Sequence, residues 1–167
     1  MSQQTVPEKN PIKISGNVFE TSRVFNAPIS LVFEAWTNPE HFVKWWGPTG
    51  FTTTNIEFSA KPGGVWRHIM HGPDGTDYPN KTIFREVIPP VRLSYTNGYD
   101  MPGEPELYFA EIDFMDLGNQ TEIRMRMTFK SAEELQRVAV EHGAIEGNRQ
   151  HLDRLDAFLT EFGKFTS

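Results

Sequence analysis

The sequence predicts an α+β domain in which a curved antiparallel sheet of about seven strands wraps around one long C-terminal helix. Three observations predict it. Six short segments rich in aromatic and β-branched residues follow one another between residues 51 and 130, separated by turn-forming clusters. After Ser131 the pattern turns helical, with Leu152, Leu155, Leu159 and Phe162 forming one apolar stripe. Ahead of the six segments stand one further strand and two short helices. A helix with a single apolar stripe must bury it, and a curved sheet offers the surface to do so.

Each element has a local reason. Residues 1–16 are polar and aperiodic and read as a flexible tail, leaving 17–167 as the folded domain. Alternation over Val18–Phe25 predicts the first strand. Asn26-Ala27-Pro28 opens a helix whose stripe is Ile29, Val32, Phe33 and Trp36. Asn38 can cap a second short helix with Pro39 at its first position, and Gly47-Pro48 ends it. The six strands follow at Phe51–Phe58, Gly64–Met70, Lys81–Ile88, Arg92–Asn97, Leu107–Met115 and Glu122–Lys130. Turns are expected at Lys61-Pro62-Gly63-Gly64, Gly72-Pro73-Asp74-Gly75, Pro89-Pro90, Asn97-Gly98 and Leu117-Gly118-Asn119. Short connections make neighbouring strands antiparallel. Ser131-Ala132-Glu133-Glu134 has the form of a capping box, and Gly143 and Gly147 predict a break or bend in the helical region that follows.

Composition excludes several function classes. The 167 residues suit one domain, and Lys plus Arg number 16 against 22 Asp plus Glu, a net charge of −6. That balance argues against nucleic acid or an anionic membrane as partner, since both demand basic surface. The absence of cysteine removes disulfides, thiolate metal sites and a Cys nucleophile, and suits a cytoplasmic location. No run of 18 apolar residues exists to span a membrane. The histidines lack metal-ligand spacing, and no phosphate loop or Gly-x-Ser-x-Gly elbow is present, so neither a metal nor a cofactor is expected.

Several motifs, taken in order, carry a family resemblance. They are Phe33-Glu34-Ala35-Trp36-Thr37-Asn38-Pro39-Glu40, Trp45-Trp46-Gly47-Pro48, Lys61-Pro62-Gly63-Gly64, Gly72-Pro73-Asp74-Gly75, Glu86-Val87-Ile88-Pro89-Pro90-Val91-Arg92-Leu93 and Glu146-Gly147-Asn148-Arg149-Gln150-His151-Leu152-Asp153-Arg154-Leu155. Over residues 18 to 163 the chain resembles the START-related proteins grouped with the C-terminal domain of the heat-shock protein 90 ATPase activator. The resemblance implies the helix-grip fold of the Bet v 1/START-like (SRPBCC) superfamily, with a cavity between sheet and helix that takes a small hydrophobic molecule. It also brings a co-chaperone role into view. Many relatives carry Gly-Trp where this chain has Gly147-Asn148, a departure that enlarges the pocket or makes its wall more polar.

Candidate cavity residues follow from strand and helix faces. Trp66, His68 and Met70 share one face of their strand, which places a histidine among apolar walls, a usual recipe for a small-molecule pocket. Phe84 and Glu86 alternate onto one face, and a buried Glu86 would be a candidate general base. Tyr95 shares a face with Asn97 and offers a hydroxyl. Of Trp45 and Trp46, one is expected in the core and the other at the rim of an opening. On the last helix Asn148 and His151 supply polar contacts beside Leu152 and Leu155. The favoured reading is binding of a hydrophobic ligand without catalysis, with a homodimer possible. A cyclase or hydrolase using His68, Glu86 or Tyr95 is the alternative.

Overall fold

The computed structural model describes residues 11–141 and 143–166, with side chains at all of these except 139–141, 144 and 162–166. Residues 1–10 of the expected tail, His142 and the side chain of Phe162 lie outside the described residues. The strands are β1 (Ile12–Ser15), β2 (Val18–Phe25), β3 (Thr52–Phe58), β4 (Val65–His71), β5 (Asp77–Ile88), β6 (Arg92–Tyr99), β7 (Glu106–Asp116) and β8 (Thr121–Phe129). They form one antiparallel sheet in the order β1-β2-β8-β7-β6-β5-β4-β3. Strands β3 to β8 are the meander that the short turns imply. The sheet continues past β8 because β2 pairs with it in full, from Val18↔Thr128 to Phe25↔Thr121.

The sheet has eight strands rather than about seven, and the addition falls inside the stretch read as tail. Strand β1 pairs Ile12↔Thr21 through Ser15↔Val18 across Gly16-Asn17, with Gly16 at φ +59 in the first central position of the turn. That placement is the glycine use that two-residue hairpins favour. Two boundaries also move. Strand β5 begins at Asp77, four residues earlier than Lys81, and β6 runs through Asn97-Gly98 instead of turning there. Its register with β7 shifts at that point, and a Cβ on Gly98 would lie 2.9 Å from the Pro105 carbonyl oxygen. Glycine here permits a close strand approach, not a reversal.

Helices α1 (Ile29–Thr37) and α2 (Pro39–Trp45) follow β2. Asn38 Oδ1 accepts from the Glu40 amide at 2.9 Å, capping α2 with Pro39 at its start. The Trp45 indole N–H donates to Ala35 O at 3.0 Å and ties the two helices together. At the other end of the chain, Ser131 Oγ accepts from the Glu134 amide and caps α3 (Ala132–Leu135). A π-helical stretch, Gln136–Glu141, leads to Gly143 at φ +69, where the helical region breaks, and then to α4 (Ala144–Thr166). Gly147 does not break the helix. It lies inside α4, where a Cβ would reach Pro48 at 3.4 Å.

Helix α4 lies across the sheet, and Leu152, Leu155 and Leu159 enter a core shared with Phe25, Val32, Trp36, Ile112 and Ile123. Two arginines fix its position. Buried Arg23, on β2, reaches Asp153 at 2.6 Å and Asp156 at 3.4 Å on the helix. Arg154 Nη1 donates in the opposite direction, to the carbonyl oxygens of Trp46, Gly47 and Pro48 at 3.0, 2.9 and 3.1 Å. Those carbonyls follow the end of α2 and lack α-helical partners; Trp46 O also accepts from Thr53 Oγ1 and Pro48 O from the Phe51 amide, and the guanidinium adds a donor to all three. No described helix is long and apolar enough to cross a membrane. Arg154→Leu removes this charged donor and sets an alkyl chain against the three carbonyls, two of which keep another partner. We expect a loss of about 2 kcal/mol in urea unfolding, and a loss below half that value would show that water replaces the guanidinium.

Candidate functional site

On β4 the buried concave face presents Trp66 and His68, followed by half-buried Met70. His68 pairs across the sheet with Asn80 on β5, and Trp66 pairs with Thr82. Thr82 in turn opposes Asn97 on β6, whose amide donates to Thr82 Oγ1 at 2.9 Å. Alternation thus brings a histidine and two asparagines onto one concave patch. Farther round the curve the same face becomes apolar. Met125, Met127 and Phe129 on β8 point inward while Arg124 and Arg126 point out, and Phe19 on β2 and Tyr108 on β7 join them.

Between this face and the helical layer lies a cavity of about 200 Å³. That is more than ten times the roughly 10–15 Å³ needed on the same measure to hold one water. Val138 and Ile145 close its apolar end, and Trp46, Gly147, Asn148 and His151 line the side facing the asparagines. The void survives because Gly147 and Asn148 occupy the turn of α4 that passes over it, one without a side chain and the other with a short one.

The two histidines share an unusual setting. The His68 ring stacks on Trp66 at 3.7 Å with an interplanar angle of 16°, and His151 meets the Trp46 indole edge-on at 4.3 Å. Both imidazoles are buried. Neither His68 nitrogen has a hydrogen-bond partner, and His151 Nε2 and Asn148 Oδ1 also lack one. Burial pushes the pKa of His68 down to about 3. It does the same to His151, helped by the nearby Arg154 charge. Both rings are therefore neutral near pH 7, each holding one donor and one acceptor. Asn148 has only a long contact, its amide nitrogen lying 4.0 Å from Met125 Sδ.

Of the twelve candidate residues, the structure gathers Trp46, His68, Met70, Asn148 and His151 on the cavity wall. Trp45, Trp66, Phe84, Tyr95, Leu152 and Leu155 are buried in the surrounding core and do not line it. Trp45 and Trp46 are both buried, at 0% and 8% exposure, and only the second touches the cavity. Tyr95 has an unpartnered hydroxyl, and burial holds its pKa above the usual phenol value. Glu86 lies elsewhere. A bulge between Phe84 and Glu86 breaks the alternation, so Glu86 is turned to the outer face, where it pairs with Arg92 beside Glu111 and Asp113. The acid/base trio His68, Glu86 and Tyr95 is thereby dispersed, and His68 alone of the three faces the void.

Several lining residues escaped the sequence reading. Asn80 sits in the part of β5 that precedes the expected strand start at Lys81, and Asn97 at an expected strand end. No group of three or more potential metal ligands occurs among the described residues.

The chain is similar to known proteins at two levels. The family model described as "Activator of Hsp90 ATPase homolog 1-like protein" matches residues 26–160. A solution structure of an Arthrobacter aurescens protein is 26% identical, with a TM-score of 0.84, covering 90% of this chain and 91% of that one. A Mycobacterium smegmatis crystal structure is 25% identical, with a TM-score of 0.80, covering 91% of this chain and 99% of that one. An AHSA1 protein from Silicibacter pomeroyi shares the fold at 18% identity and a TM-score of 0.68, covering 86% and 97%. Among curated proteins, none matches the chain.

The buried imidazoles give the protein an acid-sensitive stability. An unfolded histidine takes up a proton near pH 6.5, whereas His68 and His151 stay neutral in the folded chain down to about 3. Between those values the unfolded state binds more protons, so stability is intact above pH 6.5 and falls as the pH drops. Each histidine contributes a slope of roughly 1.4 kcal/mol per pH unit once fully below 6.5. Denaturant unfolding of His68→Gln between pH 6.5 and 5 should show roughly half of that combined slope removed. An unchanged slope would place the acid sensitivity in other groups.

Proposed function

The chain belongs to the Activator of Hsp90 ATPase homolog 1-like family, and on that premise we propose that it binds a small, largely apolar molecule between the sheet and α4. The observation that carries the reading is the cavity itself: about 200 Å³ of space lined by methionines and aromatic rings, with a few polar atoms left unpaired. Empty apolar volume costs a fold roughly 20–30 cal/mol per Å³ where packing atoms are missing. A guest that fills it recovers those contacts. The superfamily that the sequence resembles binds hydrophobic ligands in the same place, which adds support.

The family description names a chaperone ATPase, and a co-chaperone role is the second reading. It does not account for unpaired polar atoms on the residues that line a cavity. Stimulation of a purified heat-shock ATPase by the cavity-filled variant below, at the level of the unaltered chain, would favour that role and detach it from the pocket.

An uncharged fluorescent probe, N-phenylnaphthylamine, tests ligand binding directly. We expect saturable 1:1 enhancement of its emission, with a dissociation constant on the order of micromolar. Asn148→Trp restores the indole that many relatives carry and fills the void. It should weaken the probe by about tenfold or more while leaving the melting temperature unchanged or raised. Equal binding by the variant would put the probe somewhere else on the protein.

A further inference from the structure

The cavity has two chemically different ends, and their difference specifies the guest. The apolar end is formed by Phe19, Met127 and Phe129 of β2 and β8, closed by Val138 and Ile145. The other end collects His68, Asn80 and Asn97 from the sheet and His151 and Asn148 from α4, on either side of Trp46. Residues at this end carry four buried atoms without a partner: His68 Nδ1 and Nε2, His151 Nε2 and Asn148 Oδ1. Buried polar atoms left without partners are costly in a native protein, and a cluster of them on residues that line a cavity calls for a group that pairs with them.

No Asp, Glu, Lys or Arg lines the cavity among the described residues. A carboxylate or ammonium group brought inside would lose its water and meet no opposite charge, which is among the least favourable transfers a protein can make. Neutral imidazole and amide groups can both accept and donate, so they suit a hydroxyl or primary amide, which does the same.

We infer that the guest is an uncharged amphiphile, an apolar body carrying a hydroxyl or amide at one end, seated with that group between His68, His151 and Asn148. The inference rests on the proposed ligand-binding function and narrows it to one chemical class. It excludes free fatty acids and amines as the preferred occupants. Orientation follows from the same asymmetry: the polar group points to β4–β6, the apolar body to β2 and β8.

Matched naphthalene derivatives separate the contributions, read by quenching of tryptophan emission or by calorimetry with the full chain at pH 7.5. β-Naphthol should bind about tenfold or more tightly than β-naphthoate, and several-fold more tightly than naphthalene. In His68→Leu, β-naphthol should fall to the affinity of naphthalene, and His68→Gln should recover part of the difference. If β-naphthoate binds as well as β-naphthol, the uncharged class is wrong while ligand binding stands. If the naphthol preference over naphthalene persists undiminished in His68→Leu, the assigned polar end is wrong. If neither these compounds nor N-phenylnaphthylamine binds, the ligand-binding function falls, and the inference falls with it.

Discussion

The distance between α4 and the concave face of the sheet is the constraint on which the site depends. A lone amphipathic helix would settle onto a curved sheet until its side chains closed the gap. Here one end is wedged by aromatic rings. Trp36, Trp45 and Trp46 meet one another and His151 at centroid distances between 4.3 and 6.1 Å. Arg154 locks the wedge to the helix through three carbonyls, and Arg23 pins the same stretch of helix to β2. With α4 held there, its first turns, bearing Ile145, Gly147 and Asn148, pass over the apolar strands without filling the space beneath.

What the wedge leaves is an interior of mixed character. A protein that needed only stability would place leucine or phenylalanine at positions 68 and 151, since an unpaired buried imidazole weakens the fold. Both histidines instead border the cavity between the sheet and α4, and burial keeps both neutral. Local departures from good packing and polar satisfaction are where function is expected to be found. The outer face follows the opposite rule: Arg92 there gathers Glu86, Glu111 and Asp113 into a solvated ion network.

The legibility of these features in the sequence varied with the distance over which each is decided. The α2 cap at Asn38 and the α3 cap at Ser131 are three- or four-residue devices, and their sequences announce them. Strand alternation is also local, so the inward face of β4 could be read directly. Alternation fails where a bulge adds a residue. Glu86 was aligned with Phe84 by counting, and the bulge at Arg85 reversed it. Gly98 carries the same residue type as the turn glycines, yet it permits the close approach of the Pro105 carbonyl immediately before β7.

The sequence alone determined the α+β class, the order of elements, the long-helix partner of the sheet and the family, because hydrophobic period and turn chemistry act over a few residues. Only the tertiary structure decided that β2 joins β8, that an eighth strand forms, that Glu86 faces water, and that His68, His151 and Asn148 look into one void. Those outcomes depend on how far apart two layers come to rest. That separation is set by the aromatic wedge and by ion pairs and hydrogen bonds linking residues more than a hundred positions apart, which no local pattern encodes.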